Sequence, residues 1–174
     1  MPEARPAEDL ITPRLRLVPC PLEVARASLQ HPASLQAHIG VEVPPSWPPS
    51  DLLDALTMYA RDLGGDPSHL GWGIWLVIAR REAKLVGSVG FKGKPDRDRC
   101  VEIGYGIEAA SRRRGYATEA VGALLAHAWR SGVHKVVAEC HPDNTASIRV
   151  LTKSGMRRTE SSGPMLWWEL CRPT

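Results

Sequence analysis

The sequence predicts a single α/β domain built on a mixed sheet, and three observations carry that reading. Strand signatures come first, followed by strand–helix–strand–helix–strand–strand, the order of a layered α/β domain. An alternating run, Val101 to Ile107, leads through a basic, glycine-containing turn into a helical pattern. There Val121, Leu124, Leu125 and Ala128 recur at i, i+3, i+4 and i+7. The length, 174 residues, suits one domain with one sizeable core.

Residues 1–10 are polar and read as flexible, which leaves 11–174 as the domain. Leu15 to Val18 alternates with Arg14 and Arg16 and predicts a first strand, ended by Pro19 and Pro21. Pro21 suits the first turn of a helix to Gln30, with Leu22, Ala25 and Leu29 as its apolar face. Residues 31–50 carry Pro32, Gly40, Pro44, Pro45, Pro48 and Pro49 around Trp47 and predict a loop, with a short helix near Leu35. Trp47 either rims a substrate site or caps the core, and the core is the expectation. Ser50 is placed to cap a helix over 51–63, which Gly64-Gly65 stops.

Gly71 to Ala79 and Lys84 to Phe91 read as a hairpin. After a charged turn, Cys100 to Ile107 is the strand that feeds the basic turn. Val101, Ile103, Tyr105 and Ile107 share one face; Glu102, Gly104 and Gly106 share the other. Glycines on a strand face often mark close approach by a ligand or backbone. The next helix ends at Gly132, and Lys135 to Cys140 is a strand. Asp143 or Asn144 caps a helix over 145–154, which Gly155 terminates. Met156 to Glu160 and Met165 to Cys171 form a closing hairpin, where Trp167 and Trp168, read as exposed, suit a homodimer contact.

Composition excludes several classes. Apolar content of 43% and charged content of 24% describe a folded chain. A net charge of +3 with pI near 8.8 is below what a dedicated nucleic-acid binder shows, and fits an enzyme with an anionic ligand. Cys20, Cys100, Cys140 and Cys171 form no C-x-x-C pair and no zinc spacing with histidine, so no metal is expected and a reduced, cytoplasmic setting is. No apolar run approaches the roughly 20 residues of a membrane span, and the charged N-terminus is no signal peptide.

The stretch with most chemistry is Arg112-Arg113-Arg114-Gly115-Tyr116-Ala117-Thr118-Glu119-Ala120. A helix's first turn leaves backbone N–H groups unpaired and carries the positive end of the macrodipole. Gly115 lacks the Cβ that would hold a phosphate off the backbone, and the arginines add forked donors. A phosphate or pyrophosphate is the expected ligand; the alternative is a solvated basic turn before a surface helix.

Two motifs in order, Arg112-x-x-Gly115-x-Ala117 and Asn144-x-x-Ser147 followed by Leu151, Lys153 and Gly155-Met156, resemble the GCN5-related N-acetyltransferase (GNAT) superfamily. Thr12-Pro13-Arg14-Leu15-Arg16-Leu17 and Gly115-Tyr116-Ala117-Thr118-Glu119-Ala120 are similar to its branch of ribosomal-protein N-terminal acetyltransferases. The likeness spans residues 11–171. It implies a mostly antiparallel sheet splayed between two adjacent parallel strands and flanked by helices. It also implies acetyl-CoA as co-substrate and an amine acceptor: a protein N-terminus or, alternatively, an amino acid, polyamine or aminoglycoside. A non-catalytic CoA- or nucleic-acid-binding module is the competing class.

Carried over by position, the resemblance implies that backbone N–H groups of Arg113, Arg114, Gly115, Tyr116, Ala117 and Thr118 hold the pyrophosphate, with charge from Arg112 and Arg114. Ile107 and Glu108 would pair with the pantetheine arm, and Asn144 would contact it or the adjacent backbone. Glu102, on the glycine-bearing face, is the base candidate; its alternative is a solvated or salt-bridged carboxylate. Ser147 is the candidate thiolate donor; its alternative is a helix-capping hydroxyl. Leu151 stands where many relatives have tyrosine, leaving Tyr105 and Tyr116 as reserve acids, while His134 and His141 read as structural.

Overall fold

The computed structural model describes residues 8–159 and 163–173. Eight strands form one sheet in the order β1-β2-β3-β4-β5-β6-β8-β7. They are β1 (Leu10–Ile11), β2 (Leu15–Pro19), β3 (Ile74–Ala79), β4 (Lys84–Phe91), β5 (Cys100–Ile107), β6 (Lys135–Cys140), β7 (Arg157–Thr159) and β8 (Leu166–Cys171). The helices are α1 (Leu22–Gln30), α2 (Leu35–Ile39), α3 (Leu53–Gly65), α4 (Tyr116–Arg130) and α5 (Thr145–Lys153). All neighbouring strands are antiparallel except β5 and β6, and that single parallel pair is bridged by α4 as a β–α–β crossover.

The sheet divides two cores. On one face α4 lays Ala120, Val121, Leu124, Leu125 and Ala128 against Leu15, Leu17, Trp75, Val89, Val101, Ile103, Val136 and Ala138. On the other, α1, α2 and α3 cover Ile74, Leu76, Ile78 and Leu85 with Val24, Ala25, Leu35, Leu56, Tyr59 and Leu63. Burial of these side chains is the main stabilising term. The second layer leaves the β5–β6–β8 part of its face open: Val136, Ala138 and Cys140 are buried, whereas Val137 and Glu139, pointing the other way, are half-exposed.

Several expectations change. Leu10–Ile11 forms a short strand paired with β2 that the sequence reading did not include. The buried face of α1 is Val24, Ala25, Ala27 and Ser28, with Leu22 and Leu29 only half-buried, because α1 sits with a turned face against α3. Ser50 opens a single 3-10 turn instead of capping α3, and Pro49 precedes it. Trp47 is core, its Nε1 donating to Ser28 Oγ at 3.2 Å. Trp168 is buried against Ala138 rather than exposed, which removes half of the surface offered for a dimer contact. Glu160, at the predicted end of the closing hairpin, and the turn residues Ser161 and Ser162 lie outside the described residues.

Candidate active site

The parallel strands part at a defined place. β5 and β6 run together from Cys100 opposite Lys135 to Ile103 opposite Ala138. Beyond it, Gly104 to Ile107 continue against β4 alone, while Glu139 and Cys140 continue against β8. The result is a wedge-shaped gap with a free strand edge on its β5 side. Glu108 N–H donates to Val86 O at 2.9 Å, so alternation aims the N–H of Ile107 away from β4 and into the gap. The Ile107 carbonyl accepts from Arg112 Nε at 3.0 Å, so Arg112 ties the basic turn to the end of β5.

That turn opens α4. Gly115 is the N-cap, at φ 79°, and Arg113 is also left-handed, at φ 61°. The first helical hydrogen bond runs from Glu119 N–H to Gly115 O, at 3.1 Å. Among the described residues the N–H groups of Arg113, Arg114, Gly115, Tyr116, Ala117 and Thr118 therefore find no protein acceptor, and no side chain caps the helix. The loop is exposed from Arg112 to Gly115. This is an anion-binding geometry, with the helix dipole adding partial positive charge.

A latch holds the turn in shape, and the sequence reading missed it. Glu119 Oε1 accepts from Thr12 Oγ1 at 2.6 Å and Arg14 N–H at 2.9 Å, and Glu119 Oε2 accepts from Arg14 Nε at 2.7 Å. Arg14 Nη1 then donates to Arg114 O at 2.7 Å. The β1–β2 turn is thus clamped onto the phosphate-type loop. Burial raises the Glu119 pKa, but the bonds from Thr12 and Arg14 outweigh it and the carboxyl is held below its usual range. The Thr12-Pro13-Arg14 signature signalled the family but not this contact, because no spacing rule joins residues 105 apart.

Two side chains of this turn have partners of their own. Arg114 Nη2 pairs with Glu82 Oε1 at 2.5 Å, and that bond pulls the Glu82 carboxyl pKa down. The Tyr116 ring is buried, with the guanidinium carbons of Arg14 and Arg114 at 5.1 and 4.9 Å from its centroid, a double cation–π contact, and its OH donates to Glu82 Oε1 at 3.4 Å. Arg113 keeps its guanidinium exposed, and among the described residues no partner holds it.

Across the gap, Asn144 Oδ1 accepts from Ser147 N–H at 3.0 Å and caps α5. Tyr105 OH donates to Ser147 O at 3.2 Å, bracing β5 against α5. Burial pushes the Tyr105 phenol up to about 12, so it stays protonated at any ordinary pH. Ser147 is half-buried beside this brace. Leu151 is fully buried, His134 and His141 lie on the surface, and the His141 ring accepts from Asp143 N–H at 3.3 Å.

On the opposite sheet face Glu102 is ion-paired with Lys92 Nζ, which also reaches Glu139 Oε1 at 2.9 Å. The salt-bridged alternative therefore describes Glu102 at rest. Gly104 and Gly106 form the floor beside it, and a Cβ on either would meet no other atom within 4 Å. From the far side Ser46 Oγ donates to Glu108 Oε2 at 2.7 Å, placing the proline-rich segment at the rim of the gap. Among the described residues no group of three His, Cys, Asp or Glu side chains could hold a metal ion, and no helix is long and apolar enough to cross a membrane.

Comparison with known proteins gives the family of the chain. The profile of the acetyltransferase (GNAT) domain matches residues 14–157. The uncharacterized N-acetyltransferase YjdG of Bacillus subtilis is 32% identical over 156 residues, covering 89% of this chain and 92% of that protein. The ribosomal-protein-serine acetyltransferase of Escherichia coli is 29% identical over 76 residues, 43% of this chain and 42% of that protein. Among solved structures, the ribosomal L7/L12 alpha-N-protein acetyltransferase RimL in complex with coenzyme A superposes with a TM-score of 0.67 at 16% identity, covering 94% of this chain and 98% of that one. The profile match over most of the chain and the 32% identity to YjdG show the family: the chain is an N-acetyltransferase and belongs to the GNAT family.

Proposed function

We propose that this acetyltransferase moves an acetyl group from acetyl-CoA to the amino group of a protein or peptide N-terminus. The observation that carries the reading is the run of acceptor-free amides from Arg113 to Thr118, beside the free edge of β5. Those amides suit the pyrophosphate, with Gly115 allowing close approach, Arg112 and Arg113 supplying charge, and Arg114, Tyr116, Ala117 and Thr118 contributing main-chain N–H. Ile107 and Glu108 suit the pantetheine arm as an added strand, with Asn144 facing it. The Ile107 N–H, aimed into the gap, is oriented to polarise the thioester carbonyl as negative charge builds on its oxygen.

In this reading the acceptor loses a proton to Glu102, directly or through water, and the neutral amine attacks the carbonyl carbon. The C–S bond breaks, the departing thiolate takes a proton from Ser147 Oγ, and the second proton shed by the nitrogen returns through water to Ser147. The N-terminal acceptor is supported by the kinship with a ribosomal-protein-serine acetyltransferase and by the shared fold of RimL. The cytoplasm, where free thiols such as Cys20 and Cys140 persist, is the compartment this fits.

An acetyl-CoA consumption screen over serine- and alanine-terminated peptides, polyamines and aminoglycosides tests the acceptor, paired with calorimetry of CoA and of a single-stranded oligonucleotide. CoA binding with peptide turnover is expected. Turnover of small amines alone would move the acceptor class, and oligonucleotide binding without CoA binding would overturn the reading.

A further inference from the structure

The Lys92 ammonium sits between two carboxylates where β5 and β6 part. Lys92 follows the last residue of β4, and its backbone N–H donates to Glu102 O at 2.8 Å, fixing the root of the side chain over β5. From there Nζ reaches Glu102 on β5 and Glu139 on β6. Glu102 lies opposite Val137, and Glu139 is the next same-face residue of β6, just past the point where the strands part. The two carboxylates therefore stand on the same sheet face at the apex of the gap, one on each parallel strand. Trp167, half-exposed, is the cross-strand partner of Glu139 on that face. Gly104 leaves open space alongside.

We propose that the acceptor binds as an ammonium between Glu102 and Glu139, displacing Lys92, so that Lys92 is a resident stand-in for the substrate and Glu139 a specificity-determining residue. The inference deepens the transferase reading above and rests on it. Displacement is feasible because the Lys92 side chain is 50% exposed and can swing its long stem into water. Burial lowers the Lys92 pKa, but the bonds to Glu102 and Glu139 outweigh it and leave it raised. The ammonium thus stays charged and does not itself compete as a nucleophile. With Lys92 drawn off, two negative charges face the incoming amine. That favours acceptors whose neighbouring residue is neutral or basic and disfavours acidic ones.

The test uses the full chain with two acceptors, Ser-Ala-Ala-amide and Ser-Asp-Ala-amide. Lys92→Met removes the competitor: KM for the first peptide should fall about fivefold, with kcat and the KM for acetyl-CoA little changed. Glu139→Gln should raise that KM about fivefold and narrow the preference for the first peptide over the second. A raised KM or a large loss of kcat in Lys92→Met would mean that Lys92 works in the reaction, and would overturn the proposal. A readout independent of turnover comes from reductive ¹³C-methylation, with the Lys92 signal identified by its loss in Lys92→Arg. Saturating Ser-Ala-Ala-amide should lower the pKa of that signal by freeing it from both carboxylates; an unmoved signal overturns the inference. If CoA binds and the peptide is acetylated while the Lys92 signal stays put, this inference alone fails. If neither CoA nor peptide is handled, the transferase reading has failed.

Discussion

Gly115 tests the amide cradle most sharply, because its two demands can be separated by two substitutions. Its φ of 79° is left-handed, so any side chain costs about 1 kcal/mol of strain. A Cβ built there lies 3.2 Å from Arg14 Nη2, at the mobile end of a side chain that can yield a few tenths of an ångström. Gly115→Ala should therefore lower Tm by about 2–4 °C. It should weaken CoA binding only a few-fold. Gly115→Glu carries the same strain and adds a carboxylate within about 5 Å of the site proposed for the pyrophosphate. With an effective dielectric of about 40 for this exposed loop, each unit of phosphate charge costs about 1.7 kcal/mol. Two such charges cost about 3 kcal/mol, roughly a hundredfold in Kd. Calorimetry with CoA reads the affinity, thermal unfolding reads the strain, and added salt should shrink the Glu effect but not the Ala effect. If both variants unfold at the same temperature and bind CoA with the same Kd, the cradle is not at these amides.

Three further outcomes follow from the geometry. Glu102→Gln should lower kcat by about a hundredfold while leaving CoA affinity unchanged, and an unaltered kcat excludes Glu102 as the base. Glu119→Ala removes the acceptor of three bonds from Thr12 and Arg14 and should cost about 2–3 kcal/mol, seen as a Tm lower by about 5–10 °C. The Glu119 pKa is depressed, so its contribution is present above the unfolded carboxyl pKa and is lost as pH falls through the folded value. The gap between wild type and variant should therefore close in acid, and a constant gap would contradict the latch. His127 sits among Trp72, Trp75 and Phe91, with ring centroids 5.1 to 6.4 Å away, and burial, with Arg130 adding to it, holds its pKa down. A depressed histidine stabilises the fold while neutral, so wild-type Tm should drop between about pH 7 and pH 5 more steeply than that of His127→Phe, by differential thermal unfolding.

Much of the fold was legible because its signals are local. Cys100–Ile107, Lys135–Cys140 and Lys84–Phe91 alternate or run apolar and are bounded by turn residues, so period alone delimits them. The helix after the basic turn shows the 3.6-residue stripe that α4 buries, and Gly132, at φ 80°, closes it as a left-handed residue. The amide cradle was readable for the same reason: a strand, a glycine and a helix start follow within a dozen residues. What failed were faces, besides the short strand β1 and the start of α3. Trp168 was read as exposed, yet the sheet puts it opposite Ala138 inside the core.

The sequence by itself determined the order of elements, the family and the place where main-chain donors are left unpaired, since each depends on residues close together in the chain. Only the tertiary structure decided which charges are free. It spends Arg114 on Glu82, joins Arg14 to Glu119 and stations Lys92 between Glu102 and Glu139, because these side chains meet only when turns, helix and strands pack together, which no linear spacing encodes.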